Sequence, residues 1–287
     1  MNVRKIDRHA EIIERLQSIE KSHDVRILYG VESGSRAWGF ASTNSDWDVR
    51  FIYVHSEDWY LSVNDQRDVI EIPIDDDLDI CGWELRKALR LMQKGNAVFF
   101  EWLRSPIVYL EATDSVTQKP VIDEFRKIAE PYFSPMATLH YWHMAKGNFR
   151  DYLQGDMVKL KKYFYVLRPI LSCLWILRGL GQPPIVFQQL LERLIPQGAL
   201  KIEIEGLLVL KLSGEEMAEG PKQQAINEFI LSSLEAIGKE VNAIKKPPHE
   251  ENARNEVDRF FRKMVHMQNI LFSGAVFEPE QEQTTSP

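Results

Sequence analysis

Cysteine is nearly missing from this chain: Cys81 and Cys173 are the only two in 287 residues. One lies in a strand-like and one in a helix-like apolar setting, which excludes a disulfide framework and a Cys-rich zinc module. Both are expected as free thiols in a reducing cytoplasm. Long apolar runs are missing too. The most apolar stretch, residues 163–180, is interrupted by Arg168, Pro169 and Arg178 and reads as a buried helix, not a membrane span. The opening MNVRKIDRHAEIIERLQ has no apolar run followed by small residues, so it reads as an amphipathic helix and not a signal peptide. A cytoplasmic protein without a membrane partner is expected.

Positive charge is not in excess either. Thirty-five Lys and Arg against 42 Asp and Glu give a formal net charge of −7. Sequence-independent affinity for nucleic acid comes from many cations neutralising phosphates, so a large grip of that kind is excluded. One local exception runs through Lys146, Arg150, Lys159, Lys161, Lys162, Arg168 and Arg178, where only Asp151 and Asp156 are acidic. There is no internal repeat, no G-x-x-x-x-G-K-[ST] loop, no G-x-G-x-x-G opening a helix and no G-x-S-x-G elbow.

What is present is an ordinary globular composition, 44% hydrophobic and 27% charged, long enough for two domains. Ile6, Ala10, Ile13, Leu16 and Ile19 recur at helical spacing. Apolar, β-branched residues 25–31 then predict a strand, broken by Glu32-Ser-Gly-Ser35 and followed by a short helix over 36–40. Strands are predicted at 47–54, 69–74 and 78–83, the last two separated by the acidic turn Asp75-Asp-Asp77, and helices at 84–94 and 96–103. Beyond about residue 115 the pattern becomes helical: 119–130, 135–154, 157–179, 185–194, 221–245 and 250–272. The expected architecture is α+β, a small mixed β-sheet domain over 1–115 followed by an all-helical domain over 116–273. The polar tail 274–287 is expected to be disordered.

The chemistry-bearing pattern is Gly34-Ser35, then Asp46-Trp47-Asp48, then Asp79 between Leu78 and Ile80. Alternate residues of a strand share a face, so Asp46 and Asp48 project together, and Asp79 on a neighbouring strand would complete a three-carboxylate cluster. Carboxylates so placed repel one another, but a hard divalent cation such as Mg²⁺ takes oxygen ligands and reverses that sign. Asp77 shares the face of Asp79 and competes with it for the third position. A Gly-Ser turn ending a strand and opening a helix offers N–H groups and a hydroxyl to an anion. Arg36, just inside the turn, reads either as a phosphate contact or as one half of a structural ion pair.

Other candidates are weaker. His140 and His143 fall at i, i+3 on a predicted helix, but no Cys or carboxylate nearby completes a zinc pattern, so core or surface roles are expected. Tyr141, Trp142 and Trp175 read as core. Lys161, Lys162 and Arg168 read either as a solvated helix face or as cations closing over a phosphate.

Gly34-Ser-Arg-Ala-Trp-Gly-Phe40 with Ser45-Asp-Trp-Asp-Val-Arg50 resembles the DNA polymerase beta-like nucleotidyltransferase superfamily, whose signature is a Gly-Ser turn, D-x-D/E and a later lone carboxylate. The runs from Asp79 to Leu89, Glu101-Trp-Leu103 and Lys161-Lys-Tyr-Phe-Tyr-Val-Leu-Arg168 resemble, more narrowly, the RNA repair pathway DNA polymerase beta family of bacteria. The resemblance spans roughly residues 25 to 270. It implies Mg²⁺ or Mn²⁺ at Asp46, Asp48 and Asp79, and a nucleoside triphosphate held by Gly34, Ser35, Arg36, Lys161 or Lys162, and Arg168. A nucleoside monophosphate would pass to an acceptor left open between an RNA end, a protein side chain and a small molecule. The alternative is a catalytically silent nucleotide- or RNA-binding module of the same fold.

Overall fold

The computed structural model describes residues 8–213, 219–244 and 251–272, with side chains through Gln268. The tail expected to be disordered, like Ile6, lies outside the described residues. Helix α1 (Arg8–His23) buries Ile12, Leu16 and Ile19, a stripe shifted by one residue from the expected Ile13. Strand β1 (Arg26–Glu32) follows, and the short helix α2 (Gly34–Ala37) turns the chain toward β2 (Trp47–Val54). After α3 (Glu57–Tyr60) come β3 (Val69–Glu71) and β4 (Leu78–Glu84), then α4 (Leu85–Gln93), α5 (Ala97–Trp102) and β5 (Val108–Glu111), a strand the sequence pattern had not predicted.

The five strands form one mixed sheet in the order β3-β4-β2-β1-β5. β2 pairs antiparallel with β1 and parallel with β4, and the parallel register sets Asp48 opposite Asp79. Alternation then decides the faces. Val49, Phe51, Tyr53 and Ile80 pack with α1 on one side, and Ile52 and Val54 belong to a second core on the other. Asp48, Arg50, Asp79 and Cys81 share that second face, at the half-buried end of the strands. Gly82 permits the tight β2–β4 contact, since a Cβ there would stand 2.2 Å from the Phe51 ring.

The second core contains α4, α5, α6 (Val121–Ala129) and α12 (Glu251–Phe272). α12 returns from the far end of the chain, and Val257, Phe260, Met264 and Val265 bury its apolar stripe against the sheet's helices. Lys263 fixes it there, 2.6 Å from Asp114 and 2.5 Å from Glu124.

The third core belongs to α7 (Ala137–Tyr152), α8 (Lys162–Leu177), α9 (Phe187–Leu194), α10 (Ala199–Leu212) and α11 (Gln224–Val241). Tyr141 is buried in it and Trp142 and Trp175 pack against it, as expected of core aromatics. Two details depart from the sequence reading. Residues 157–159 are not helical but form β6 (Met157–Lys159), paired with β7 (Glu219–Pro221) in a two-stranded ribbon. α10 was not predicted, because it is apolar around most of its circumference and contains Gly206, leaving no single stripe to recognise. Phe40, just after α2, inserts into this third core against Phe164 and Phe187 and so ties the sheet to the helices.

Burial alone would raise the Asp114 carboxyl, but Lys263 and the N–H groups of Thr117 and Val116 outweigh it, and the group is pulled down to about 2. A depressed carboxylate stabilises the fold above its ordinary range, and that contribution is lost as pH falls toward 2. Lys263→Met is therefore expected to cost about 1.5–3 kcal/mol in urea unfolding at neutral pH, with a smaller difference from the parent at pH near 2.

Candidate active site

β1 ends on Glu32, and the chain reverses through Gly34 at φ +58°. A Cβ on Gly34 would stand 2.0 Å from Asp48 Oδ2 and 2.9 Å from its Cγ, so only glycine lets the turn lie directly on the Asp48 side chain. The neighbouring Ser33 N–H donates to the Asp48 carbonyl at 2.8 Å. Glu32 completes the clasp. Its fully buried carboxylate accepts the Asp48 N–H at 2.8 Å and the Tyr109 hydroxyl, while the Ser105 hydroxyl donates to the Glu32 carbonyl at 2.6 Å. Burial pushes the Glu32 carboxyl up, opposed by those same donors. Glu32 was not singled out from the sequence, where it is merely the acid before a turn.

Asp48 and Asp79 sit side by side on adjacent strands, and Arg50 lies between them. Its Nη2 is 2.7 Å from Asp79 Oδ2 and 3.5 Å from Asp48 Oδ1, and its Nη1 donates to the carbonyls of Val49 and Asp79 at 2.9 and 3.1 Å. Burial raises the Asp48 carboxyl; Arg50 opposes that, and the negative charges of Asp79 and Asp46 add to it. Arg50 too was missed, although its place two residues after Asp48 puts it on the same strand face. Asp77 is directed elsewhere, into an ion pair with Arg8 of α1, which leaves Asp79 as the carboxylate beside Asp48. Asp46 is exposed, just ahead of β2. Arg36 donates to the carbonyls of Ser45 and Asp46 at 2.6 and 3.1 Å and lies 3.6 Å from the Trp47 ring centroid, so it holds the loop carrying Asp46.

Arg168 does not face this site as a free cation, contrary to expectation. Only 2% exposed, it pairs with Glu101 at 2.9 Å and stacks 4.5 Å from the Trp38 ring centroid. Tyr141 donates to the same Glu101 oxygen at 2.8 Å. A guanidinium so enclosed joins the helices to the sheet. Lys161 and Lys162 are placed differently, at the N-terminal end of α8, with Lys161 exposed. The Lys162 ammonium lies 4.1 Å from the Tyr152 ring centroid and 4.8 Å from that of Tyr165. Tyr165 in turn senses the carboxylates: burial, then the charges of Asp48 and Asp46, push its hydroxyl up. From α10, Lys211 reaches the hydroxyls of Ser42 at 3.2 Å and Ser45 at 3.5 Å, in the loop before Asp46. Burial and Lys161 lower its ammonium, while Asp46 opposes them. Lys211 could not be found from the sequence, because its helix was not recognised.

The sequence model of the RNA repair pathway DNA polymerase beta family matches residues 8–263. The chain belongs to that family. The uncharacterized protein YcgL of Bacillus subtilis (strain 168) is 50% identical to it over 239 residues, covering 82% of this chain and 90% of that protein. A crystal structure of a nucleotidyltransferase-like protein from Exiguobacterium sibiricum 255-15 matches over 92% of each chain at 12% identity, with a TM-score of 0.29, too low to equate residues. Among the described residues no helix is long and apolar enough to cross a membrane.

A polymerase beta-like family member is expected to bind a divalent cation, and the donor chemistry here fits one. Asp48 and Asp79 present hard oxygens side by side, and their mutual repulsion, felt at Asp48, is what a cation would relieve. The fit is not complete as the side chains stand. Among the described residues no three His, Cys, Asp or Glu groups converge as a metal site, and Asp46 is exposed. His140 and His143 lie in no such group either. Both cysteines are free thiols, Cys173 buried.

Gly34→Ala is expected to disturb Asp48 itself, whatever ligand the turn binds. Both the left-handed φ and the collision with the Asp48 carboxylate oppose it, at a combined cost of about 2 kcal/mol or more. Thermal unfolding of Gly34→Ala and of Gly34→Ala/Asp48→Ala checks this. Removing the carboxylate from the path should return part of the loss, and an equal loss in both variants would mean that the backbone conformation alone is responsible.

Proposed function

We propose that this family member is a metal-dependent nucleotidyltransferase, moving a nucleoside monophosphate from a nucleoside triphosphate to an acceptor hydroxyl with release of pyrophosphate. The observation that carries the reading is the parallel register of β2 and β4, which sets Asp48 against Asp79 directly beside the Gly34 turn. Asp48 and Asp79, joined by Asp46, would hold Mg²⁺ or Mn²⁺. The bound cation supplies charge neutralisation at the triphosphate and makes the acceptor hydroxyl more acidic.

The remaining steps use the chain's own groups. The N–H groups of Gly34 and Ser35 and the Ser35 hydroxyl receive phosphate oxygens, since the first N–H groups of a helix have no acceptor within it. On the helical side Lys211 is near enough to feel Asp46 and Lys161, and Lys162 lies against Tyr165, which feels Asp48 and Asp46; these lysines would offset the charge of the polyphosphate. Arg36 contributes by fixing the Asp46 loop. Asp79 accepts the proton of the acceptor hydroxyl; the oxygen forms a bond to the α-phosphorus in line as the bond to the β-phosphate oxygen breaks.

One observation favours the silent nucleotide- or RNA-binding alternative: Arg50 already bridges the two carboxylates and Asp46 stands apart. A transfer assay separates the two readings. With α-labelled nucleoside triphosphate, Mg²⁺ or Mn²⁺, and separate RNA, protein and metabolite pools, the parent should label one pool. Asp48→Asn should lose roughly a hundredfold or more, since loss even of the outer partners of metal ligands costs 10–100-fold. Its melting temperature should be unchanged or raised, because a carboxylate repelled by its neighbours has been neutralised. Triphosphate binding without transfer in the parent would instead support the silent module.

Among the cations, Lys161→Met, Lys162→Met and Lys211→Met test who meets the polyphosphate. Loss of one charge-assisted contact costs about 1.5–3 kcal/mol, so at least one variant should bind triphosphate about tenfold more weakly. Equal binding by all three and by the triple variant would leave the helical side without a part in the site.

A further inference from the structure

The position of Arg50 fits no step of the transfer. Strand alternation puts it on the face of Asp48, two residues along β2, and the parallel register carries its guanidinium over to Asp79 on β4. Its two nitrogens have separate duties. Nη2 faces both carboxylates, at 2.7 and 3.5 Å, and Nη1 is anchored by the carbonyls of Val49 and Asp79. The side chain is 18% exposed, so these contacts are only partly screened by water. A cation that bridges Asp48 and Asp79 is therefore already built into the protein, at the place where the proposed function puts a divalent metal.

Two positive charges cannot share that place, and the two differ in how they are held. The guanidinium is also kept by backbone carbonyls, that of Val49 on its own strand and that of Asp79 on β4, so it can release the carboxylates without leaving the site. Beside it a cavity of about 520 Å³ opens toward the sheet edge, lined by Arg50 and Asp79 together with Arg67, Ile72 and Ile74, and gives the released group room.

We propose that Arg50 is a resident counter-ion of the metal site: it holds Asp48 and Asp79 together in the metal-free protein and is displaced from them by the divalent cation. This rests on the metal-dependent reading above. It makes Arg50 a positioning residue that trades metal affinity for a carboxylate pair already assembled before metal arrives.

Mn²⁺ binding, followed by electron paramagnetic resonance without nucleotide, and melting temperature in excess chelator test the idea together. The parent is expected to bind Mn²⁺ and to gain little in melting temperature from it. Arg50→Gln removes the competing charge. It should bind Mn²⁺ about tenfold or more tightly, melt lower than the parent in chelator, and recover most of that loss when Mn²⁺ is added. Arg50→Lys keeps the charge and should bind Mn²⁺ within a few fold of the parent. Should Arg50→Gln be folded only in the presence of Mn²⁺, the metal has taken over the counter-ion's task, which supports the assignment. Weaker or equal Mn²⁺ binding by Arg50→Gln, with the parent still binding, overturns the role of Arg50 and leaves the metal site standing. No Mn²⁺ binding by the parent at millimolar concentration overturns the metal reading and this one with it.

Discussion

Parallel pairing of β2 with β4 is the constraint on which the rest of the site depends. In an antiparallel pair the two ends of the strands would face opposite ways, and Asp48 and Asp79 would be separated along the sheet. Run in parallel and in register, they place two carboxylates at one half-buried edge, where like charges repel more strongly than in water. The surroundings answer that problem piece by piece. Glu32 and Ser33 fix the backbone of Asp48 on both sides, Gly34 lets the turn lie against its side chain, and Arg50 spans the gap to Asp79. Each of these contacts acts on the same few atoms, so their effects are coupled and will not add independently.

The helical part is bound to this edge by a joint of unusual polarity for a buried place. Arg168, Glu101 and Tyr141 form one hydrogen-bonded group, with Trp38 stacked on the guanidinium and Phe40 inserted among Phe164 and Phe187. A buried ion pair contributes little net stability, because desolvation offsets most of its attraction, but removing one partner leaves an uncompensated charge and is costly. Such a joint tolerates few other arrangements of its partners. It therefore sets the angle at which α8 presents Lys162 and Tyr165 to the carboxylates. Pro169 follows Arg168 and removes the hydrogen bond that would reach the Tyr165 carbonyl, so the helix is locally freed one turn from the site.

What could be read in advance follows the range of the interaction. Gly34, the alternation of Asp46 and Asp48, the acidic turn and most helices are local patterns, and they were legible. The reason for Gly34 was not. Its space is filled by Asp48, a neighbour fourteen positions away across a strand pairing. Glu32 and Lys211 were invisible for the same cause, since their meaning lies in partners on other elements. Arg168 misled because a helical wheel shows which residues share a face and not which face is buried. The return of α12 to the sheet is non-local in the extreme, and nothing in its own stripe names the surface it covers. Arg50 is partly an exception: alternation places it on the face of Asp48, but its reach to Asp79 depends on the parallel register of β2 and β4.

Charge decides how the two halves must divide the work. This end of the sheet sets Asp48 and Asp79 side by side with Asp46 just ahead of β2, and its nearest cations, Arg36 and Arg50, are committed to backbone carbonyls or to the carboxylates themselves. A polyphosphate brought to that edge would meet more negative charge than the sheet can offset. On the helical side Lys162 and Lys211 are the crowded cations, their ammonium groups pushed down by burial and by neighbouring lysines. Crowded cations gain more from an incoming anion than solvated ones do, because the anion relieves repulsion already present. With acids on one layer and these lysines on the other, a phosphate-bearing ligand with a divalent cation, as in the proposed function, would meet both at once.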